Sequence, residues 1–545
     1  MVLLTMTKSD DPFHAPDGMA DGQKMGQANG SPRSSQVAAC LPNRHHGETA
    51  SCRFLSESSP LLNKADSIES YEAVASEPDD DVQPDAMVVA TTSSGGVCVT
   101  WQSEAKHLAS SSASLLVTYV LQYSINVVSV FAAGRIGKVE LGAVALANMT
   151  TGVTCLAPFM GLATSLDTLC AQAYGDGRGH LVGIQCQRMV VFLSLLSVPV
   201  AVLWAYSEEI LVRAISNAES ARLASLYLRV MIFALPGIIV FEAGKRLLQA
   251  QGLFKETTYV LLVTAPVNVL LNWLLVWKLE LGFVGAPIAV AFSRTLLAVL
   301  LVLYVKLVNG SQCWGGLSMK AFSNWWPMVY LALPGMIMVA AEWFIFDIIT
   351  FLSSRLGTDY LAAQSILVSV TTLLYHIPFA VSVAASTRVA NLIGAGLVDA
   401  AKAAAKVATV AAFIICALNF STYIIMRFRI PLLLTSDPAV IMLTAQAMPF
   451  VALEQVFDSL CAGAHGLLRG VGKQSIGGPV NLIGHYLVSL PVCLILGFHC
   501  SWKLDGLWAG IAAGLLIVAL VEYGYLLTID WHTACAEAEA RNTAG

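Results

Sequence analysis

Twelve times between residues 110 and 528 the chain stays apolar for about the thickness of a bilayer, and that repetition constrains the fold more than any single motif. The runs lie roughly at 110 to 132, 143 to 171, 183 to 205, 223 to 245, 257 to 278, 283 to 305, 327 to 353, 361 to 391, 404 to 426, 440 to 467, 475 to 497 and 506 to 528. A β-barrel is excluded, because its strands alternate with period two over about ten residues, whereas these runs are continuous and about twice as long. Composition agrees: 56% of the residues are hydrophobic, 12% are charged, and mean hydropathy is +0.68. The expected fold is an all-α integral membrane protein of twelve transmembrane helices. A formal charge of −5 without a basic cluster argues against nucleic acid as a partner.

Residues 1–105 are rich in Ser, Asp, Gly and Pro with few aromatics, so a disordered N-terminal tail is expected. Within it, Glu57 followed after three residues by Leu61 and Leu62 fits the acidic dileucine pattern, which resembles the signals that adaptor complexes read when sorting membrane proteins to vacuoles or lysosomes. No apolar core of signal-peptide length opens the chain, so the first span is expected to act as its own insertion signal. An even number of spans places both termini on one side, and the polar tail favours the cytoplasm, with the plasma membrane as the alternative destination. Lys and Arg in the loops barely separate the two orientations. The twelve cysteines are scattered singly, without the close pairs of a metal site or disulfide framework, and no metal is expected.

The stretch Pro334–Gly357 crosses the bilayer and yet carries Glu342 and Asp347. An acid near a bilayer centre costs at least ~2.5 kcal/mol on insertion scales, so it marks a site or needs a partner. Five residues of helix separate the two carboxylates by about 140° in azimuth and about 7.5 Å in height, so they cannot share one face. Glu342 is expected to face a central cavity; fixation by a buried hydroxyl or amide is the alternative for either acid. Glu454 and Asp458 stand one turn apart in the tenth run, where two carboxylates in low dielectric cannot both ionise cheaply and should share a proton. Glu454 alternatively only reaches the interface.

The two halves of the chain echo each other. LLQAQG from Leu247 matches LLRGVG from Leu467 at an offset of 220, GDG from Gly175 matches GAG from Gly394 at 219, and APVN from Ala265 matches GPVN from Gly478 at 213. Two six-span halves in the same orientation imply a pseudo-twofold axis along the membrane normal and a cavity between lobes. The expected division is an N-lobe over 106–310, an inter-lobe loop over 311–325, a C-lobe over 326–530 and a short cytoplasmic tail over 531–545.

These residues resemble the multidrug and toxic compound extrusion (MATE) transporters, in their eukaryotic branch, over almost all of 107–528. The motifs are LDTLCAQAYG from Leu166, EWFIFD from Glu342 to Asp347, AASTRVAN from Ala384 to Asn391 running to Gly396, RLLQAQG from Arg246 and LRGVG from Leu468. The resemblance implies two MATE-like, pseudo-symmetric six-helix lobes and an antiporter, not an enzyme, that exchanges protons, or less often sodium, for small organic solutes without a bound cofactor. It places Glu342, Asp347 and Asp458 on the family's acids of the seventh and tenth spans. Animal members can carry a further glutamate where this chain has Ser369, and bacterial members carry an aspartate in the first span, where this chain has Gln122 and Asn126.

For recognition, Trp343, Phe344, Phe346, Tyr375 and Phe379 offer ring faces to flat or cationic groups, with core packing as the alternative. His376 is either a group that titrates near neutrality or a histidine hydrogen-bonded inside the bundle. Asp167, Arg246, Arg388 and Arg469 sit near cytoplasmic span ends and read as anchors or inter-lobe latches. A monomer is expected. A lipid or lipid-linked-glycan flippase is the rival reading, and an intramembrane enzyme lacks any HExxH, phosphate loop or Ser/His/Asp order. Of the Asn-x-Ser/Thr sites at Asn148, Asn309 and Asn419, the first and third fall inside apolar runs and the second falls in an expected cytoplasmic loop. None should carry sugar when the chain is expressed in a eukaryotic host, and a glycosidase-sensitive mass shift lost on Asn309→Gln would show the opposite orientation.

Overall fold

The computed structural model describes residues 100–214 and 217–544, and these fall in one compact unit. The dileucine residues Glu57, Leu61 and Leu62 lie outside the described residues. Among the described residues, twelve helices are long and apolar enough to cross a membrane: α1 Trp101–Ile136, α2 Lys138–Gly175, α3 Gly179–Ala205, α4 Ala218–Ala250, α5 Lys255–Lys278, α6 Gly282–Leu307, α7 Trp326–Ser354, α8 Thr358–Gly394, α9 Val398–Met426, α10 Pro438–Val471, α11 Gln474–His499 and α12 Lys503–Thr528. No strand occurs among the described residues. Their outward faces stay apolar, as Val198 and Val202, both more than half exposed, illustrate. Such an exterior belongs in lipid, where the helix satisfies its own backbone.

The ends of these helices carry the repeat. Gly177 and Gly396, which follow α2 and α8, both have φ of 74°, and Gly252 and Gly472, which follow α4 and α10, have φ of 77° and 82°. A left-handed residue after the last turn satisfies orphan carbonyls, and glycine adopts it without a Cβ penalty. The matching glycines seen in the sequence are therefore matching helix stops.

The seam between the halves obeys the same symmetry. The first span of each half packs against the second span of the other, α1 on α8 and α7 on α2. Towards the face that holds the start of α1, α2 and α8 touch backbone to backbone: a Cβ at Gly175 would overlap the carbonyl group of Asn391, and one at Gly394 would overlap that of Gln172. Side chains then cross-link the same seam, with Thr168 donating to the Arg469 carbonyl at 2.5 Å, Gln172 to the Gly470 carbonyl at 3.1 Å and Gln474 to Thr168 at 2.7 Å. Arg388 pairs with Glu104, a buried residue inside the region read as tail, because α1 begins at Trp101.

The short segment after α12 is also ordered, as a further helix, α13 Trp531–Ala544. Ala534, Ala538 and Asn542, spaced four apart on one face, are buried. It reaches both halves: Lys473 pairs with Glu537 at 2.7 Å, Arg541 donates to Gln172 at 3.0 Å and Arg178 donates to the Asn542 carbonyl at 2.8 Å.

Because α2 and α8 meet through bare backbone, Gly394→Ala should cost about 1–3 kcal/mol by overpacking. Gly524→Ala is the matched control, since nothing lies within 4 Å of its added Cβ. The thermal unfolding midpoint in detergent should fall for the first and hold for the second; equal midpoints would show that the seam yields freely.

Candidate functional site

A narrow cavity opens inside the second half against α2, and its walls are stripes of helix at i, i+3, i+4 and i+7 spacing. From α7 come Gly335, Met338, Val339 and Glu342; from α8 Tyr375, Phe379 and Ser382; from α10 Ala462, His465 and Arg469; from α2 Thr164 alone. Its volume is about 20 Å³, room for a water molecule rather than an organic solute. Gly335 and Gly161 bring α7 and α2 together at its edge, where a Cβ on Gly161 would come within 2.6 Å of Met336 Cα.

Glu342 is 8% exposed and accepts a hydrogen bond from the Tyr375 hydroxyl. The charge of Arg469 also acts on it, and Arg469 is held towards the cavity by its 2.8 Å bond to Ser382. One side of this group lies the pair on α10. Glu454 and Asp458, both buried, are joined by the Gln455 amide, which donates to Glu454 at 3.3 Å and to Asp458 at 3.1 Å. The remaining Glu454 oxygen, Oε1, has no hydrogen-bond partner. Glu342, Glu454 and Asp458 act electrostatically on one another, so three carboxyl groups share one low-dielectric interior.

Other residues singled out in the sequence go elsewhere. Asp347 is half-buried on the far side of α7, within reach of Tyr486, as its azimuth requires. Trp343 lies on the outer face at 38% exposure, and Phe346 packs on Trp508 with ring centroids 6.0 Å apart, so neither lines the cavity. Of the aromatic residues, Tyr375 and Phe379 do, stacked at 5.8 Å. His376 turns to α1, between Tyr119 and Tyr123, with Nδ1 2.5 Å from the Thr372 carbonyl. Gln122 and Asn126 belong to the first half, away from the cavity, and Asn126 accepts from Arg294 at 3.1 Å.

The first half holds its own buried charges, in a different chemistry. Arg246 lies 3.3 Å from Asp167 and 3.2 Å from Glu242, and Lys245 lies 2.7 Å from Glu242. Two acids are matched there by two cations.

Several residues at the second-half site escaped the sequence reading. His465 lines the cavity; behind it Glu522 on α12 is fully buried 3.2 Å away, and Asn481 on α11 joins both. Ionisable residues inside apolar runs were the available signal. No group of His, Cys, Asp and Glu able to hold a metal ion occurs among the described residues.

Comparison with known proteins agrees with this architecture. The family model described as MatE matches twice, over residues 115–274 and 334–495, once in each half. An uncharacterized transporter of Saccharomyces cerevisiae is 44% identical over 443 residues, covering 81% of this chain and 64% of the relative, so the chain spans less than two thirds of that protein's length. Multidrug and toxin extrusion protein 1 of Homo sapiens is 32% identical over 422 residues, covering 77% of this chain and 74% of the relative. The crystal structure of the eukaryotic MATE transporter AtDTX14 superposes with a TM-score of 0.78 at 29% identity, covering 81% of this chain and 99% of that one. A matched model over both halves, a relative above 40% identity and a shared twelve-helix fold place this multi-pass membrane protein in the MatE family of transporters.

Proposed function

We propose that the chain is an antiporter that exchanges protons for small organic solutes, cationic ones among them, exporting or sequestering them by alternating access. The observation that carries this reading is the cluster of Glu342, Glu454 and Asp458, buried together beside a cavity at the seam of two lobes. Three carboxyl groups so placed cannot all be charged at once, so the cluster holds a proton when the cavity is closed. Opening admits water, which allows that proton to leave, and the carboxylates then attract a cationic solute onto Tyr375 and Phe379. Solute and proton compete for the same acids, which is what couples their movements.

The energetics suffice. Two pH units release ~2.7 kcal/mol per proton, which supports about a hundredfold gradient of a solute exchanged charge for charge. The closed seam at the terminal face is one end of the cycle. Seating a solute requires the α2 and α7 walls to part, since the cavity accepts little more than water.

In proteoliposomes, an imposed pH gradient should drive accumulation of an organic cation, and a sodium gradient of equal size should not. Glu342→Gln should remove the gradient-driven component while leaving expression and thermal unfolding unchanged. Wild-type uptake indifferent to the pH gradient would remove the antiport reading; full coupling in Glu342→Gln would remove its assignment to that acid.

For location we propose the vacuolar or lysosomal membrane, with an adaptor complex reading Glu57, Leu61 and Leu62. Replacing both leucines by alanine should move a fluorescently tagged chain from the vacuolar rim to the plasma membrane. An unchanged distribution would count against that signal.

A further inference from the structure

Behind the cavity, three polar side chains from three helices close on one another in an otherwise apolar interior. Asn481 Nδ2 lies 2.9 Å from His465 Nε2, 2.9 Å from Glu522 Oε1 and 3.0 Å from the Gly477 carbonyl. An amide nitrogen carries two hydrogens for these three neighbours, and His465 Nε2 accepts one of them or donates to Glu522 according to which ring nitrogen holds its proton. The amide oxygen is itself buried without a partner, and so is Glu522 Oε2. Glu522 is fully buried, with His465 Nε2 3.2 Å from its Oε1, an ion pair only when the ring is protonated.

One further proton compensates the buried carboxylate. With both ring nitrogens of His465 protonated, Nε2–H donates to Glu522 Oε1, the amide serves Gly477 and Glu522, and a neutral pair replaces a lone buried charge. The ring of His465 also borders the cavity that Glu342 faces, so the pair has a route to the same water. The surroundings are consistent with a polar relay. The groups facing the pair are Glu342 on α7, Tyr375 on α8, Cys461 and Arg469 on α10, His485 on α11 and Tyr523 on α12, with Thr164 from α2. On the α9 side, Tyr423 faces Glu454 and Asp458 instead. His485 sits in a wide helical turn over Ile483–Ser489, with neither ring nitrogen hydrogen-bonded.

We propose that His465 and Glu522 form a second proton-binding site, filled and emptied through the cavity beside Glu342, so that two protons rather than one are exchanged for each solute molecule. On filling, a carboxyl O–H of Glu342 breaks and an N–H forms on the His465 ring, leaving Glu342 as a carboxylate free to take the next proton. On emptying, that N–H breaks and the proton returns to cavity water, with the imidazole neutral again. Asn481 is a positioning residue, holding both partners from α11.

This inference rests on the antiport reading, and one experiment separates the two. The full chain is reconstituted in liposomes with the membrane potential clamped at zero, using tetraethylammonium, a cation with no titratable group, as the probe. The probe ratio at which net flux stops is measured against the imposed pH difference. Two protons give about a hundredfold ratio per pH unit and one proton about tenfold, by the logarithmic relation between ratio and free energy. The expected result is a hundredfold slope for the wild type and for Glu522→Asp, falling to tenfold for Glu522→Gln and His465→Gln. A tenfold wild-type slope overturns the second site and leaves antiport standing; a hundredfold slope retained in Glu522→Gln overturns it as well. Absence of any pH-driven flux in the wild type removes both readings. Should either variant fail to fold, the wild-type slope and the other variant decide.

Discussion

A carboxyl group in hydrocarbon must be neutralised by something, and the choice of neutraliser organises this molecule. The first half uses cations: Asp167 and Glu242 pair with Arg246 and Lys245 on one turn of α4. In the second half, Glu342 meets Arg469 and His465 across the cavity, but Glu454 and Asp458 face an amide and one another. Protons are the neutraliser left to that cluster. Two halves of one repeat have thus taken different routes to the same requirement.

The proposed alternating access needs a surface that can both close tightly and part. At the seam the halves meet through matched glycines, Gly175 against Asn391 and Gly394 against Gln172, where backbone contact leaves few side chains to unpack. Polar cross-links and α13 add directional bonds at the same end. Each is individually modest, about 0.5–1.5 kcal/mol net for a typical hydrogen bond. A seam built from several small terms can be broken stepwise by the energy of one or two protons, whereas a broad apolar interface could not.

Much of this was legible in the sequence. Continuous apolar runs gave the helices, because length and hydropathy alone decide whether a helix spans, and glycines that must adopt a left-handed turn preserved the repeat where other residues had diverged. Glu342 was legible for the same reason, as a charge where none is cheap. Side-chain direction was less so. Phe346 lies one turn from Glu342 and yet packs on Trp508, because the turn beyond the cavity is already inside the second-half core, and Trp343 points away at the next position. The His465, Asn481 and Glu522 network was hidden because its members come from α10, α11 and α12, and proximity across spans leaves no spacing to read. Asn481 was visible only as part of the repeated GPVN. The helical α13 was hidden by its alanine-rich, polar composition, since its burial depends on a groove that only the folded bundle creates.

The central claim is that solute and proton contend for the same buried acids, and it can be tested without a membrane or a gradient. Purified protein in detergent and weak buffer is mixed with a cationic substrate, binding is followed by calorimetry, and the pH of the solution is read with an indicator. Binding accompanied by proton release from the wild type, and by reduced release from Glu342→Gln, is the expected result. Saturable binding that leaves the solution pH unmoved would contradict it.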